Sequence, residues 1–542
     1  MARSLSALLL FAACLCAARA LAVPDAVDPA AGADAKLART SRRELKAFYP
    51  AGGKGKQHRP GRAVFRVHPW NNKYSSAVYF PGSKSYNKLL GGPGIHGGYN
   101  AFCAGQSTSV NNEVFIFGGH SQDVQWFRRY NHNTGVRTYG TMPSNRWYPT
   151  PCTLPEGKVL VVGGVKKSGY AGYAAKDKSL DNPTYTVYDP NSNKFTPDRF
   201  EMQSQLSEAF PIHTYPVVTV TPDGGVVVAA GKTLVKYARN GDRFNKQYSY
   251  TDRPGHPWGY PQTGVGLPLP LKFPYDRMFF LAAGGSAKDK AKETTPATAA
   301  AHVIELTAGK DAQWKPSTMP YPRVMGDAVT LCDGTIGVFN GGGAGIGGWS
   351  QVPTTYKFKD GAQYKCTKKC SKAGNFVLEP TIFDPETGEW SAKGSLAQAV
   401  RPRSYHSFAT LLQDCSVMIS GSDVTDDKTA EFFKPPYFSK GPRPAITGAP
   451  TSTYTGQQVT VTYSHSGNDP VDRAILIRTG AVTHSQAFDA RSVWLQVVSH
   501  TPGQLVLQMP SNRNIVPQGM YFLNILTKNG VPASKMHIIQ YY

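Results

Sequence analysis

Short apolar runs that end in glycine recur along the chain. Val114-Phe-Ile-Phe117 leads into Gly118-Gly119, and Val159-Leu-Val-Val162 leads into Gly163-Gly164, a step of 45 residues between the two pairs. Looser copies are Gly225-Val-Val-Val-Ala-Ala-Gly231, Met278-Phe-Phe-Leu-Ala-Ala-Gly-Gly285, Ile336-Gly-Val-Phe-Asn-Gly-Gly342 and Val417-Met-Ile-Ser-Gly421. Brief β-branched and aromatic runs bounded by glycine predict buried strands. Glu156-Gly157, Asp223-Gly224 and Asp333-Gly334 precede three of them and predict tight hairpins. A second hairpin signal follows in Val187-Tyr-Asp-Pro-Asn-Ser-Asn-Lys-Phe195 and in Ile382-Phe-Asp-Pro-Glu-Thr-Gly-Glu-Trp390.

A repeat of this texture at a period near 50 residues predicts an all-β, kelch-type propeller. One blade cannot bury both its faces, so blades must pack around an axis. Six copies are visible, and the degenerate N-terminal part supplies a seventh, closed by strands from both ends of the array. After Pro435-Pro436 the pattern changes to alternating runs such as Gln458-Val-Thr-Val-Thr-Tyr463 and Ala474-Ile-Leu-Ile-Arg478. These predict a C-terminal immunoglobulin-like sandwich. The expected division is a leader at 1–22, a basic flexible arm at 23–62, a seven-bladed propeller at 63–440 and the sandwich at 441–542.

Composition agrees with a turn-rich β protein: the 542 residues include Gly 54, Pro 41, Tyr 28 and Phe 25. Arg3 followed by the apolar run Leu5–Ala18 and the small-residue sites Ala18-Arg19-Ala20 and Ala20-Leu21-Ala22 reads as a secretory signal. No later run is long enough for a transmembrane segment. The expected location is therefore extracellular or at the cell wall. The net charge is +23, from 59 basic and 36 acidic residues. Part of it sits in Lys36–Arg62, which favours a polyanion such as an anionic wall polymer. No nucleic-acid-reading motif accompanies it. In an exported chain the six cysteines beyond the leader can form disulfides. Cys366 and Cys370 suit either a small disulfide loop or half of a zinc site.

Four places could carry chemistry. Tyr405-His406 precedes the last glycine-ended strand. His484 lies between two strands of the sandwich. Tyr148 stands just ahead of a blade strand, and Cys103 occupies nearly the same place one blade earlier. The step from Cys103 to Tyr148 is again 45 residues, so the two should occupy matching positions on neighbouring blades. Regular strand geometry would point Tyr405 and His406 to opposite faces, so both reach one centre only at a bend or a strand end.

The set Phe102-Cys103-Ala-Gly105, Arg146-Trp147-Tyr148, Arg403-Ser-Tyr405-His406-Ser407 and Thr483-His484 resembles the glyoxal oxidase and galactose oxidase family of copper radical oxidases. The resemblance spans nearly the whole exported chain, and Trp147 with Lys166-Lys167 is more similar to the glyoxal oxidase branch. It implies one copper ion held by Tyr148, Tyr405, His406 and His484. It implies a thioether between Cys103 and Tyr148 that makes Tyr148 a radical cofactor, with Tyr405 as axial ligand and base. Two imidazoles and two phenolates suit tetragonal Cu(II). The implied reaction oxidises small aldehydes, entering as hydrates, to carboxylic acids and reduces O2 to H2O2. Primary alcohols are the alternative substrates. A non-catalytic extracellular propeller that binds anionic wall polysaccharide is the alternative from another class.

The chain departs from the family in two places. Some relatives stack an aromatic over the linked tyrosine from just past the following glycine pair. Here Gly163-Gly164-Val165-Lys166 offers none, leaving Tyr170 or Tyr173 as replacements. The usual Asp-Gly turn after the Tyr-His strand is Asp414-Cys415. A disulfide from Cys415 to Cys332, the residue before a blade turn, would account for that.

Overall fold

The computed structural model describes residues 101–542 apart from 121–123, 132–136, 175, 359–360, 368 and 423–428. Before residue 101 it gives strand backbone only, in short segments that include an antiparallel meander at Val64–Asn71, Tyr74–Phe80 and Ser85–Leu90. Apart from two three-residue segments, the expected leader and basic arm lie outside the described residues.

Six blades are present among the described residues. Blade 1 is built from Gly105–Thr108, Glu113–Phe117, Trp126–Asn131 and Arg137–Thr141. Blade 2 is built from Thr150–Thr153, Val159–Val162, Tyr185–Asp189 and Lys194–Phe195. Blades 3 and 4 begin at Val217–Val220 and Val265–Pro268 and are also four-stranded meanders. Blade 5 pairs Asp327–Thr330, Ile336–Phe339 and Thr381–Phe383, and blade 6 pairs Ser407–Leu411, Val417–Gly421 and Ala430–Phe433. The seventh blade expected from the sequence falls on the N-terminal part before residue 101, largely outside the described residues.

The glycine-ended runs are the second strands. Glu113–Phe117 and Val159–Val162 are buried at every position, because neighbouring blades cover both faces. Each Val, Leu or Phe so buried contributes roughly 1.5–3 kcal/mol. The glycine that follows turns the chain where the next blade's entering segment crosses it. Gly118 has φ +81, and a Cβ there would stand 2.1 Å from the Arg146 carbonyl oxygen. Only glycine tolerates both that conformation and that approach.

The first strands of successive blades adjoin one another and enclose the axis. Two residues ahead of them, the chain adopts left-handed backbone at Cys103, Tyr148, Tyr215 and Met325, with φ of 61, 64, 51 and 58. Hydrogen bonds link these corners between blades: Tyr148 N–H donates to the Cys103 carbonyl (3.1 Å), Tyr215 N–H to Tyr148 (3.0 Å) and Met325 N–H to Thr263 (3.0 Å). The matching positions expected for Cys103 and Tyr148 are therefore realised.

The C-terminal domain is a β-sandwich whose sheets share one long strand, Arg491–Thr501. Its first half pairs with Val471–Arg478, and its second half pairs with Gln504–Gln508, with a bulge at 497–499 within that pairing. Such a bend lets one strand serve both layers. The sandwich core is continuous with that of the propeller. Leu476, Leu523 and Ile539 pack in one cluster with Trp258, Leu271 and Phe280 of blades 3 and 4. Cys332–Cys415 is a disulfide that ties the turns of blades 5 and 6, and Cys366–Cys370 is a disulfide rather than half of a zinc site. No helix among the described residues is long and apolar enough to cross a membrane.

Candidate metal centre

A hairpin of the sandwich fills the propeller axis. Ala481–Thr483 pairs with Gln486–Phe488, with Thr483 opposite Gln486, so the loop is His484-Ser485. Both loop residues are left-handed, with φ 51 and 68, which makes a two-residue turn of the hairpin-favouring type. Gln486–Phe488 adjoins the innermost strands of blades 1 to 5, and Ala481–Thr483 adjoins that of blade 6. His484 is thus delivered at the hairpin tip. Asp489, just beyond the hairpin, anchors its base. Its carboxylate accepts from Thr153 N–H (2.8 Å), from the Thr153 hydroxyl and from the Ser107 hydroxyl (3.0 Å), and it faces Arg478 at 3.2 Å.

Tyr405 and His406 arrive from blade 6 just before strand Ser407–Leu411. Tyr405 holds the position two residues ahead of the strand, as Tyr148 does in blade 2. The left-handed residue here is the next one, His406, at φ 64. Ser407 N–H donates to the Ser404 carbonyl at 2.9 Å and closes a tight turn around the pair. The turn removes the objection from strand alternation, and both rings point toward the axis.

All five residues singled out in the sequence meet there. The Tyr148 and Tyr405 phenol oxygens are 3.0 Å apart, and His484 Nε2 is 3.1 Å from the Tyr148 oxygen. The His406 and His484 ring centroids are 4.8 Å apart, and the Tyr405 and His406 centroids are 3.6 Å apart. The Cys103 sulfur and one ring nitrogen of each histidine lie within 4.8 Å of one another. Cys103, His406 and His484 are fully buried, and Tyr148 and Tyr405 nearly so.

Burial holds both imidazoles well below the usual histidine range, and His484 is lowered further by His406. They are therefore neutral at pH 7, the form that ligates metal. His484 Nδ1 is 2.6 Å from the Thr483 hydroxyl. With Nδ1–H donating to that oxygen, Nε2 presents its lone pair toward Tyr148. Two neutral imidazoles and two phenols, with no carboxylate among them, fit copper(II) better than zinc, calcium or magnesium.

Several surrounding aromatics carry little or no signal in the sequence. The Trp147 indole stacks on its neighbour Tyr148, with centroids 4.3 Å apart and planes 11° apart. The stacking ring thus comes from Trp147 rather than from Tyr170 or Tyr173. Val165, just past the glycine pair, bridges Trp147 through its backbone and packs in the same core cluster, but offers no ring. Tyr170 sits under the Lys167 ammonium, and Tyr173 donates to the Asp289 carbonyl at 2.6 Å. The Tyr260 hydroxyl lies 3.3 Å from that of Tyr405. The Tyr215 ring lies 4.5 Å from Tyr148 and 5.0 Å from His484. Tyr215 has one signal, its place two residues before a blade strand, but the blade spacing there is irregular.

Trp349 comes from a long excursion of blade 5. The glycine-rich strand Gly342–Ser350 lies directly on the site: a Cβ on Gly347 would stand 2.9 Å from the Tyr260 ring and 3.0 Å from Met325 Sδ. The Trp349 ring stands nearly perpendicular to Tyr405 at 5.7 Å and to His406 at 5.5 Å, and runs near-parallel to Phe102 at 5.9 Å. Trp349 is half-buried, whereas Phe102, Trp147, Tyr215 and Tyr260 are buried.

Comparison with known proteins agrees with this geometry. Residues 98–435 match the family model "Glyoxal oxidase N-terminus", and residues 443–540 match "Galactose oxidase-like, Early set domain". The chain is 23% identical to aldehyde oxidase GLOX1 of Arabidopsis thaliana over 80% of this chain and 70% of that protein. It is 25% identical to aldehyde oxidase GLOX of Vitis pseudoreticulata over 72% of this chain and 71% of that protein. It is 24% identical to galactose oxidase of Gibberella zeae over 82% of this chain and 61% of that protein. A fungal alcohol oxidase of the AA5 family, solved in complex with copper, shares the fold at TM-score 0.65 and 20% identity, covering 87% of this chain and 91% of that one. The chain therefore belongs to the glyoxal oxidase and galactose oxidase family of copper radical oxidases, on the glyoxal oxidase branch.

Proposed function

We propose that the protein oxidises small aldehydes, taken up as their hydrates, to carboxylic acids, with reduction of O2 to H2O2. The observation that carries this reading is the convergence of two phenol oxygens and two neutral imidazoles on the axis, with the Tyr148 and Tyr405 oxygens 3.0 Å apart. Tyr148, Tyr405, His406 and His484 would hold one copper ion. When bound, copper supplies a one-electron couple and an electrophilic seat for a hydroxyl oxygen.

The chain's own residues account for the rest. Oxidation of R–CH(OH)2 to R–COOH removes two electrons and two protons, which O2 takes up as H2O2. The Tyr405 oxygen receives the hydroxyl proton. The Tyr148 oxygen, 3.0 Å away, receives the hydrogen from carbon. A thioether from Cys103 would add electron density to the Tyr148 ring, so that this ring holds the second oxidising equivalent. Stacking by Trp147 shields the ring and spreads its charge. Burial excludes water from the oxidised ring.

Preference for small aldehydes over primary alcohols is supported by the relatives named aldehyde oxidases and by Trp349, which narrows the approach to Tyr405 and His406. Export through the leader 1–22 belongs to the same reading, and N-terminal sequencing of the mature protein would test it. For activity, metal-free protein is titrated with copper and peroxide release is followed with glyoxal. One copper per chain and peroxide that requires it are expected. No peroxide at full copper occupancy would refute the reading.

A further inference from the structure

The charge on the propeller is divided between its two ends. First and second strands of each blade are antiparallel, with Thr150 opposite Val162, Val265 opposite Ala283 and Asp327 opposite Phe339. Loops that follow the second strands therefore open on the same end as Tyr148 and Tyr405. After blade 2's second strand come exposed Lys166, Lys167, Lys176 and Lys178. The corresponding loop of blade 4 carries exposed Lys288, Lys290 and Lys292, and the blade 5 excursion carries exposed Lys357 and Lys365.

None of these nine lysines is in an ion pair among the described residues. Acids of the same loops are already engaged. Asp177 accepts from Ser179, Asp289 faces His256 and Glu293 faces Lys372. The opposite end also carries exposed Lys194 and Lys310, which are in no ion pair among the described residues, but several of its basic groups are matched by acids. There Lys158 pairs with Asp242, Arg239 with Glu156, Lys272 with Glu386 and Arg277 with Glu305.

We propose that this lysine collar around the mouth of the site docks an acidic polysaccharide, a chain of uronate carboxylates. The lysines are exposed to solvent, stand on three blades and do not converge on a buried pocket. A small anion would meet one or two screened charges, whereas a polymer meets many at once. Lysines act as point charges and read charge density rather than a fixed fork of oxygens. The choice of a saccharide over a nucleic acid rests on the oxidase reading above, because a uronate chain ends in a hemiacetal carbon that can open to a hydrated aldehyde. The basic stretch expected at 23–62 is separate in the sequence from these lysines, so the two can be tested apart.

The test uses the full copper-loaded chain and polygalacturonate as probe, with dextran as neutral control and duplex DNA as competing polyanion. Binding to polygalacturonate and not to dextran is expected, falling as salt rises. A variant with Lys288→Gln, Lys290→Gln, Lys292→Gln, Lys357→Gln and Lys365→Gln, arm intact, should bind at least about tenfold more weakly. Its peroxide release from glyoxal, a neutral substrate, should match wild type. Equal binding by the variant and wild type would overturn the collar, and so would DNA binding as tight as polygalacturonate binding for the saccharide assignment. Polygalacturonate binding by a wild-type protein that releases no peroxide would count against the oxidase reading and leave the collar standing.

Discussion

The Tyr148 and Tyr405 phenol oxygens lie 3.0 Å apart across 257 residues of chain. Each comes from the corner just before an innermost strand, one in blade 2 and one in blade 6, and the axis is where such corners meet. The proton and the hydrogen atom of the proposed reaction would therefore pass to neighbouring oxygens on separately braced blades.

Tyr148→Phe removes the oxygen that faces both Tyr405 and His484. Peroxide release should fall by about a thousandfold or more, as for loss of a group acting in the transition state. The fold should remain, because the ring still packs on Trp147. Peroxide assays paired with circular dichroism check both halves.

Trp147→Ala removes the indole stacked on Tyr148. An offset aromatic pair contributes roughly 0.5–1.5 kcal/mol beyond burial. The Tyr148 ring should become harder to oxidise and its oxidised form shorter-lived, with copper affinity nearly unchanged. Redox titration and the decay of the oxidised-enzyme spectrum measure this.

Asp489→Ala should loosen the hairpin that carries His484. It strips acceptors from Thr153 and Ser107 and leaves Arg478 facing no carboxylate in the axis. Loss of a buried, hydrogen-bonded ion pair partner costs about 3–5 kcal/mol. Denaturant unfolding should show that loss, and copper affinity should drop with it.

The metal-free protein should lose stability as pH falls below about 6.5, the unperturbed histidine value. His406 and His484 are both held well below that value when folded, so the unfolded chain takes up protons that the native state refuses. Their contribution is present above pH 6.5 and is lost on acidification, at up to about 1.4 kcal/mol per pH unit for each. Asp327 acts in the opposite direction, since burial raises it to about 7 and the native state gains its proton first. Burial lowers His302 and His537 as well and adds to the histidine slope, so the net slope of unfolding free energy against pH should be shallower than the histidines alone would give, and should steepen in Asp327→Asn.

Trp349→Ala should widen the mouth beside Tyr405 and His406. Bulkier donors such as a hexose primary alcohol should then gain kcat/KM relative to glyoxal, while Trp349→Phe stays close to wild type. A substrate panel on the three proteins decides it.

The residues proposed to form the copper and radical site are legible because they sit at repeat-related or motif-defined points. Cys103 and Tyr148 share the glycine-pair spacing, and Tyr405-His406 precedes another glycine-ended strand. The surrounding rings are not. The blade 5 excursion between Phe339 and Thr381 breaks the period, so nothing in the linear pattern brings Trp349 to Tyr405. Tyr260 precedes Pro261 in an irregular inter-blade loop with no strand signal. The family resemblance points past the glycine pair for the stack on Tyr148, yet the left-handed turn at Tyr148 lets Trp147 fold back onto it. The turn at His484-Ser485 lacks the usual Asn-Gly chemistry, and its tightness follows from insertion in the axis.

The most direct test is the mass of the peptides that carry Cys103 and Tyr148 after copper loading in air, digestion and thiol reduction. The account predicts one linked species, lighter than the two peptides together by two hydrogens and stable to reductant. Two separate peptides at full copper occupancy, with Cys103 open to alkylation, would contradict it.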